Sequence, residues 1–433
     1  MVFGFLAIIL AGAILLCLPY STRGGDISFI DALFTATSAV CVTGLVVVDT
    51  GTFYSVFGQT IIMLLIFAGS LGFMTLATIL LLLAGKKVNL SEKLALKQSL
   101  NIDSMEGLKA LVIKIAIITI IVELIGAIVL SIYFIPVFGW GKGLFYALFH
   151  SVSAFGNAGF DLMGDFGSLV SLSGNPIVYI TIMTLFILGG LGFFVLIDVY
   201  NKKRYKSRLR LHTRVVLTVS LILLISGFLV IFFLEGFNPN SMGDLPLLEK
   251  VSLAFFTAAT PRTAGFSVLP VNQFLPATQF FIIFLMFIGA SPASTGGGIK
   301  TTTFGLLVIT FLATVRNQKN PVVYGRKISQ DLLLKAIAVI IASAALIFAG
   351  IFALSLSERK FQFLEIVFET VSAFGTVGLS TGITPELSLL GKSVIIIIMF
   401  AGRLGPLTLF IALSKKKKEG NGIDYPYEKI MIG

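Results

Sequence analysis

Long apolar runs alternate with short polar connections along this chain. Runs of roughly the 20 residues that a bilayer core requires fall at about 2–18, 59–84, 110–135, 175–199, 214–234, 274–315 (interrupted), 331–356 and 392–413. Between the two members of each pair lies a shorter stretch, beginning at Ile27, Gly143, Pro246 and Phe361. Each stays apolar or amphipathic for three or four turns and ends at a glycine, too short to span. The pattern predicts eight spanning helices with four re-entrant short helices between them. Hydrocarbon offers no water to backbone groups, so they must be satisfied within the segment and helices are the expected form. A β-barrel would alternate apolar and polar residues, and these runs are continuous.

Composition agrees with a membrane protein surrounded by the lipid bilayer. Of 433 residues 56% are hydrophobic and 12% charged, against about 25% charged in soluble domains. The net charge of +11 raises the question of a nucleic-acid partner, which its placement answers in the negative. Basic residues gather in a few connections: Lys86, Lys87, Lys93 and Lys97; Lys202 to Arg214; Arg316 to Lys327; Lys415 to Lys418. The positive-inside rule puts these in the cytoplasm, and both termini with them. The other connections hold only Arg23, Lys142, Lys250, Arg359 and Lys360 and face outward. The first run lacks a basic leader or an A-x-A site and reads as a spanning helix of a multi-pass cell-membrane protein. Cys17 and Cys41 have no metal spacing; they read as small hydrophobes, with a disulfide near the outer face as the alternative.

The four short stretches agree residue by residue. They read LFTATSAVCVTGL from Leu33, LFHSVSAFGNAGF from Leu148, AFFTAATPRTAGF from Ala254 and VFETVSAFGTVGL from Val367. An aromatic holds the second position (Phe34, Phe149, Phe255, Phe368), and a glycine closes each: Gly44, Gly159, Gly265, Gly378. The following apolar run repeats too, with Gly69 and Gly72, Gly189 and Gly192, Gly402 and Gly405 in a G-x-x-G step. Fourfold internal similarity signals duplication. Each copy starts and ends in a basic connection, so the copies share one orientation. The expected fold is an all-α membrane protein of four parallel helix–pore helix–helix repeats around one central pore. The repeats span 1–88, 89–203, 204–320 and 321–418, with a cytoplasmic tail at 419–433.

Parallel copies around one axis bring four short backbone segments to its centre. The filter expected there comprises Val42, Thr43 and Gly44; Asn157, Ala158 and Gly159; Thr263, Ala264 and Gly265; and Thr376, Val377 and Gly378. A residue without a Cβ lets successive carbonyls point at the axis, where they replace the hydration shell of a bare cation. No carboxylate lies in these segments, which favours a monovalent ion, K⁺ first, over Ca²⁺ or Mg²⁺. Glycines that merely permit tight turns would explain one copy, but poorly explain four.

The third copy departs after Gly289 into Ala290, Ser291, Pro292, Ala293, Ser294, Thr295, Gly296, Gly297, Gly298, Ile299, Lys300 and Thr301. Proline and three successive glycines end the helix. Unwound backbone at this depth must line a water-filled path. The reading is a flexible gate beneath the filter; a plain helix break is the alternative, and the P-loop spacing is not met. Arg403, inside an apolar run, is costly in a span and usually functional. It is expected to face the pore and pair with loop carbonyls, with snorkelling to the interface as the alternative, and Lys300 acts similarly. Glu123, Lys114 and Asp198 read as structural partners, Arg262 as a rim or strut residue, and His150 as a satisfied packing residue. No nucleophile, general base or metal cluster appears, so the chain is not expected to be an enzyme or to hold an organic cofactor.

The aligned glycines and the glycine-rich break resemble the Trk/Ktr/HKT superfamily of K⁺ transporters over essentially the full length. With no extra helix pair before the first repeat, the chain looks most like the Ktr-type membrane subunits. Only Thr376-Val377-Gly378 echoes the T-V-G-Y-G signature. The resemblance implies carbonyl coordination of K⁺ around Gly44, Gly159, Gly265 and Gly378 and an intramembrane gating loop at about 290–303 facing Arg403. It implies a homodimer on a cytosolic, KtrA-like RCK ring that binds nucleotide, since this chain has no G-x-G-x-x-G unit. The basic inner loops and the tail after Lys415 are the candidate docking surfaces. Na⁺ dependence is a family trait. Some relatives pass Na⁺ with a first-repeat serine, and Gly44 favours K⁺. The competing functions are a Na⁺-permeable channel of the same fold and a Na⁺-coupled transporter of a small solute, which usually has inverted repeats.

Overall fold

The computed structural model describes residues 2–83, 94, 96, 107–206, 208–318 and 320–405. The basic cluster from Lys86 to Lys97, Lys415 to Lys418 and the tail at 419–433 lie outside the described residues, as do the ends of the first and fourth expected repeats.

Four sets of elements follow one another in like order. The first holds α1 (Val2–Leu16), the short α2 (Phe29–Cys41), α3 (Val56–Leu71) and α4 (Phe73–Leu83). The second holds α5 (Leu108–Phe138), the short α6 (Trp140–Phe155), α7 (Pro176–Leu191) and α8 (Phe193–Tyr205). The third holds α9 (Leu211–Glu235), the short α10 (Leu247–Ala259), α11 (Pro276–Phe287) and α12 (Thr301–Val315). The fourth holds α13 (Gln330–Ser357), the short α14 (Phe363–Gly375) and α15 (Leu389–Leu404). Sequence signals set the short helices' starts. Ser28 accepts the Asp31 N–H at 3.2 Å, and Gln362 and Glu365 close a capping box before α14.

The inner helix of each set packs on the short helix of the next: α3 on α6, α7 on α10, α11 on α14, and α15 back on α2. This order closes on itself. Fully buried Phe34, Phe149, Phe256 and Phe368 hold the short helices in the core. In the third set the buried ring is Phe256, not the aligned Phe255. Only five positions separate Thr260 from Gly265, against six from Ser38 to Gly44, because Ala264 N–H bonds Thr260 O whereas Thr43 N–H bonds Ser38 O. A tighter helix exit thus shifts this register by one residue.

Two features refine the expected picture. Among the described residues three helices, α5, α9 and α13, are individually long and apolar enough to cross a membrane. A fourth crossing exists if α7 and α8, bent by 97°, count as one. The interrupted third-set span was therefore not the only broken one. α3 ends at Gly72 (φ 77°), α7 at Gly192 (φ 91°) and α15 at Gly405 (φ 86°). A left-handed residue stops the helical ladder, so Gly72 and Gly192 are breaks between two helices rather than steps in a continuous one, and Gly405 ends α15. Beside the helices, a small hairpin pairs Val322–Val323 with Arg326–Lys327. Its turn, Tyr324 (φ 49°) and Gly325 (φ 75°), has both central residues left-handed, the type I′ geometry of tight hairpins.

At Gly192 the bend also needs space, since a Cβ there would lie 2.6 Å from Pro292 O. Gly192→Ala is expected to destabilise the protein by about 1–3 kcal/mol, read as a lower melting temperature in detergent. A melting temperature equal to wild type would contradict the bend's role.

Candidate functional site

The backbone after each short helix repeats one conformation. Val42, Asn157, Thr263 and Thr376 take φ of 57°, 58°, 70° and 50°, and Gly44, Gly159, Gly265 and Gly378 take 95°, 69°, 78° and 92°. The residue between, Thr43, Ala158, Ala264 or Val377, has ordinary φ. Alternation of hand turns successive carbonyls toward one side. Left-handed Val42, Thr263 and Thr376 are β-branched, so this conformation costs of order 1–3 kcal/mol at each, and the packing around it must hold it.

That packing comes from behind. Thr43, Ala158 and Val377 donate their N–H to Ser38, Ser153 and Ser372 carbonyls at 2.8, 2.8 and 2.9 Å. Gly44 and Gly378 N–H reach the Ser38 and Ser372 hydroxyls at 3.0 and 3.2 Å. Among the described residues no hydrogen bond ends on a carbonyl of 42–44, 157–159, 263–265 or 376–378. Most of the N–H groups are used and the carbonyls are not.

The four segments meet edge to edge. A Cβ on Gly44 would lie 2.5 Å from Ala158 O, one on Gly159 2.9 Å from Ala264 O, one on Gly265 2.3 Å from Val377 O, and one on Gly378 2.1 Å from Thr43 O. The contacts run through the sets in order and close. A cavity of about 220 Å³ adjoins all four glycines on one side, with Asp49, Asp161, Ser267 and Thr384 also in its wall.

On the other side lies the unwound segment 288–300. Ile288 and Ile299 bridge its neck. Gly297 N–H donates to Thr376 Oγ1 at 3.0 Å, and Gly296 packs against Thr263 Oγ1. The Asn157 amide sits between the hydroxyls of Thr263 and Thr295, 3.2 and 2.9 Å away. With its nitrogen turned toward Thr295, it also donates to the Phe186 and Phe155 carbonyls. The break after α7 anchors the segment: Ser291 N–H bonds Gly190 O and Phe193 N–H bonds Ala293 O. Arg403 donates to the carbonyls of Thr295 and Gly69, joining the fourth, third and first sets. Lys300 folds back on Gly296 O at 2.8 Å. Arg403 and Lys300 face a second cavity of about 200 Å³.

A family model described as TrkH, cation transport protein, matches residues 7–425. The chain belongs to this family. It is 47% identical over 99% of its length to the Ktr system potassium uptake protein B of Bacillus subtilis (strain 168), of which 95% is covered. It is 42% identical, over 99% of this chain and 96% of the relative, to the potassium/sodium uptake protein NtpJ of Enterococcus hirae. The crystal structure of the potassium transporter TrkH from Vibrio parahaemolyticus matches with a TM-score of 0.71, covering 96% of this chain and 85% of that one at 20% identity. That last likeness is one of fold. TrkH-family members are transporters, and this chain is not an enzyme.

Other residues singled out in the sequence sort as follows. Arg262 is a strut, with its guanidinium 2.9 Å from the Ser220 hydroxyl on α9. His150 bonds Tyr146 O at 2.7 Å, accepts the Leu162 N–H and stacks on Phe134. Asp198 accepts the Arg210 N–H at 2.9 Å. Glu123 differs from its expected partnered role: its backbone carbonyl takes the Ser151 hydroxyl, while its buried Oε1 has no partner. Lys114 forms no ion pair among the described residues. Cys17 and Cys41 are free thiols.

Sequence reading passed over Asp161 in the first cavity's wall. Burial pushes its carboxyl up to about 7, the Asp49 charge adds to the rise, and the Met163 N–H opposes it. A carboxyl raised in the folded state holds its proton better there, so stability is full below the ordinary 3.8 and falls as pH climbs toward 7. Asp161→Asn is expected to flatten that part of the thermal-stability profile. A mutant that keeps the wild-type slope would remove Asp161 as its source.

Proposed function

We propose that this chain is the ion-translocating membrane subunit of a K⁺ uptake system. In this reading the four sets are parallel helix–short helix–helix units, divided near 88, 203 and 320, around one pore. The single observation that carries it is the closed ring of unused carbonyls. Such a ring replaces the water around a bare monovalent ion, with Gly44, Gly159, Gly265 and Gly378 at its narrowest contacts. Full-length similarity to a potassium uptake protein supports K⁺ as the cargo. The 47% relative is named for a Ktr system, which favours a separate cytosolic RCK-type subunit as regulator and a homodimer in the cell membrane, termini inside.

The segment Ala290–Thr301 acts as the gate under this ring. Arg403 and Lys300 add positive charge beneath it, a barrier to cations that falls when the segment moves. Helices broken at Gly72 and Gly192 do not by themselves exclude a Na⁺-coupled solute transporter. The cyclic packing order still argues against one, since it suits a channel-like pathway better than inverted repeats. A Na⁺-permeable or Na⁺-dependent variant of the same function is the second reading, favoured by similarity to a potassium/sodium uptake protein.

Flux of K⁺ or Rb⁺ into proteoliposomes tests the proposal. Gly378→Ser, which forces a side chain toward Thr43 O, should lower discrimination against Na⁺ by about tenfold, or roughly 1.4 kcal/mol. An unchanged ratio counts against these carbonyls as the filter. Deleting Ala290–Thr301 should raise flux; identical flux would rule the segment out as a gate.

A further inference from the structure

Where α9 enters its apolar span, a pocket of about 420 Å³ is walled by Arg208, Leu209, Arg210, Leu211, Arg214, Tyr324 and Arg326. Two separate pieces of chain build it. Arg208 and Arg210 come from the connection after α8, Arg214 from the first turn of α9, and Tyr324 and Arg326 from the hairpin. The Arg214 guanidinium lies over the Tyr324 ring, 5.7 Å from its centre, and the Tyr324 hydroxyl is 2.7 Å from Thr218 Oγ1. The aromatic ring thus fixes the hairpin against α9 and keeps the wall in shape.

Four arginines line this space with no acid in its wall. The ion pairs among the described residues, Lys360–Glu386 and Lys392–Asp31, involve none of them. Asp198 reaches this connection but is engaged by the Arg210 backbone N–H. Opposed like charges repel, and Arg214 sits one turn inside a helix that goes on to expose Leu221 and Ile222. No acid among the described residues supplies the countercharge, and the pocket lies at the level where a lipid headgroup would offer one. Guanidinium forks suit phosphate oxygens, and basic residues at this level attract anionic lipid.

We propose that this pocket binds the phosphate headgroup of an anionic phospholipid, with Arg208, Arg210, Arg214 and Arg326 as its ligands. The site is separate from the ion pathway and stands whichever ion passes.

The test uses the full chain purified in detergent, exposed to mixed phosphatidylglycerol and phosphatidylcholine, with retained lipid read by native mass spectrometry. Wild type should retain phosphatidylglycerol preferentially. Arg214→Gln with Arg326→Gln should cut retention by about tenfold or more, and the paired Lys substitutions should restore part of it. Lys202→Gln with Lys203→Gln, which removes the same charge from α8 outside the pocket, should leave retention near wild type. Equal losses in the two double variants would reduce the effect to general surface charge and overturn the proposal. So would displacement of the lipid by millimolar inorganic phosphate, which would assign the site to a free anion. Retention unchanged in every variant overturns it as well.

Discussion

A backbone carbonyl at membrane depth needs a partner, and the carbonyls of four short segments here have none among the described residues. The rest of the described structure serves that condition. The short helices end at the segments, and their last-turn carbonyls and hydroxyls take most of the segments' N–H groups. Inner helices approach so closely that a Cβ on Gly69 or Gly402 would lie about 2 Å from the Val40 or Phe374 carbonyl. Each N–H bonded from behind leaves its neighbouring carbonyl aimed the other way. An unpaired carbonyl costs several kcal/mol in hydrocarbon, and a bare cation offsets that cost for several at once.

Fourfold likeness builds the ring, and departures from it give the sets unequal roles. Only the third set unwinds over 288–300, and only the fourth has an arginine at the level of the breaks. The two meet, because Arg403 bonds both Thr295 O and Gly69 O. Thr263 and Thr376 contact the unwound glycines directly, and Asn157 does so through Thr295. Movement of this segment would therefore be felt by three of the four strands above it. That coupling gives the proposed gate a mechanical link to the proposed filter.

The sequence carried the site more fully than the helix geometry. Four aligned glycines and a P-A-S-T-G-G-G run point to one place because a Cβ is intolerable at each contact, and sterics of that kind leave a residue-level mark. Arg403 was legible for a similar reason: a lone charge in an apolar run has few explanations. The breaks at Gly72 and Gly192 were visible as glycines but not as breaks, since a helical glycine and a left-handed one look alike in sequence. The one-residue shift at Thr260 lay beneath the similarity of AFFTAATP to its counterparts. The hairpin was hidden because Tyr-Gly is a weak turn signal beside Asn-Gly. The Asn157–Thr295 contact joins residues 138 apart, and no local pattern reports such a pair.

The most direct test of the central claim is the position of a bound ion. In crystals soaked in Rb⁺, anomalous scattering should show a peak on the axis enclosed by the carbonyls of 42–44, 157–159, 263–265 and 376–378, on the far side of the segment 288–300 from Arg403. Rb⁺ bound elsewhere, with that axis empty at saturating Rb⁺, would contradict the account.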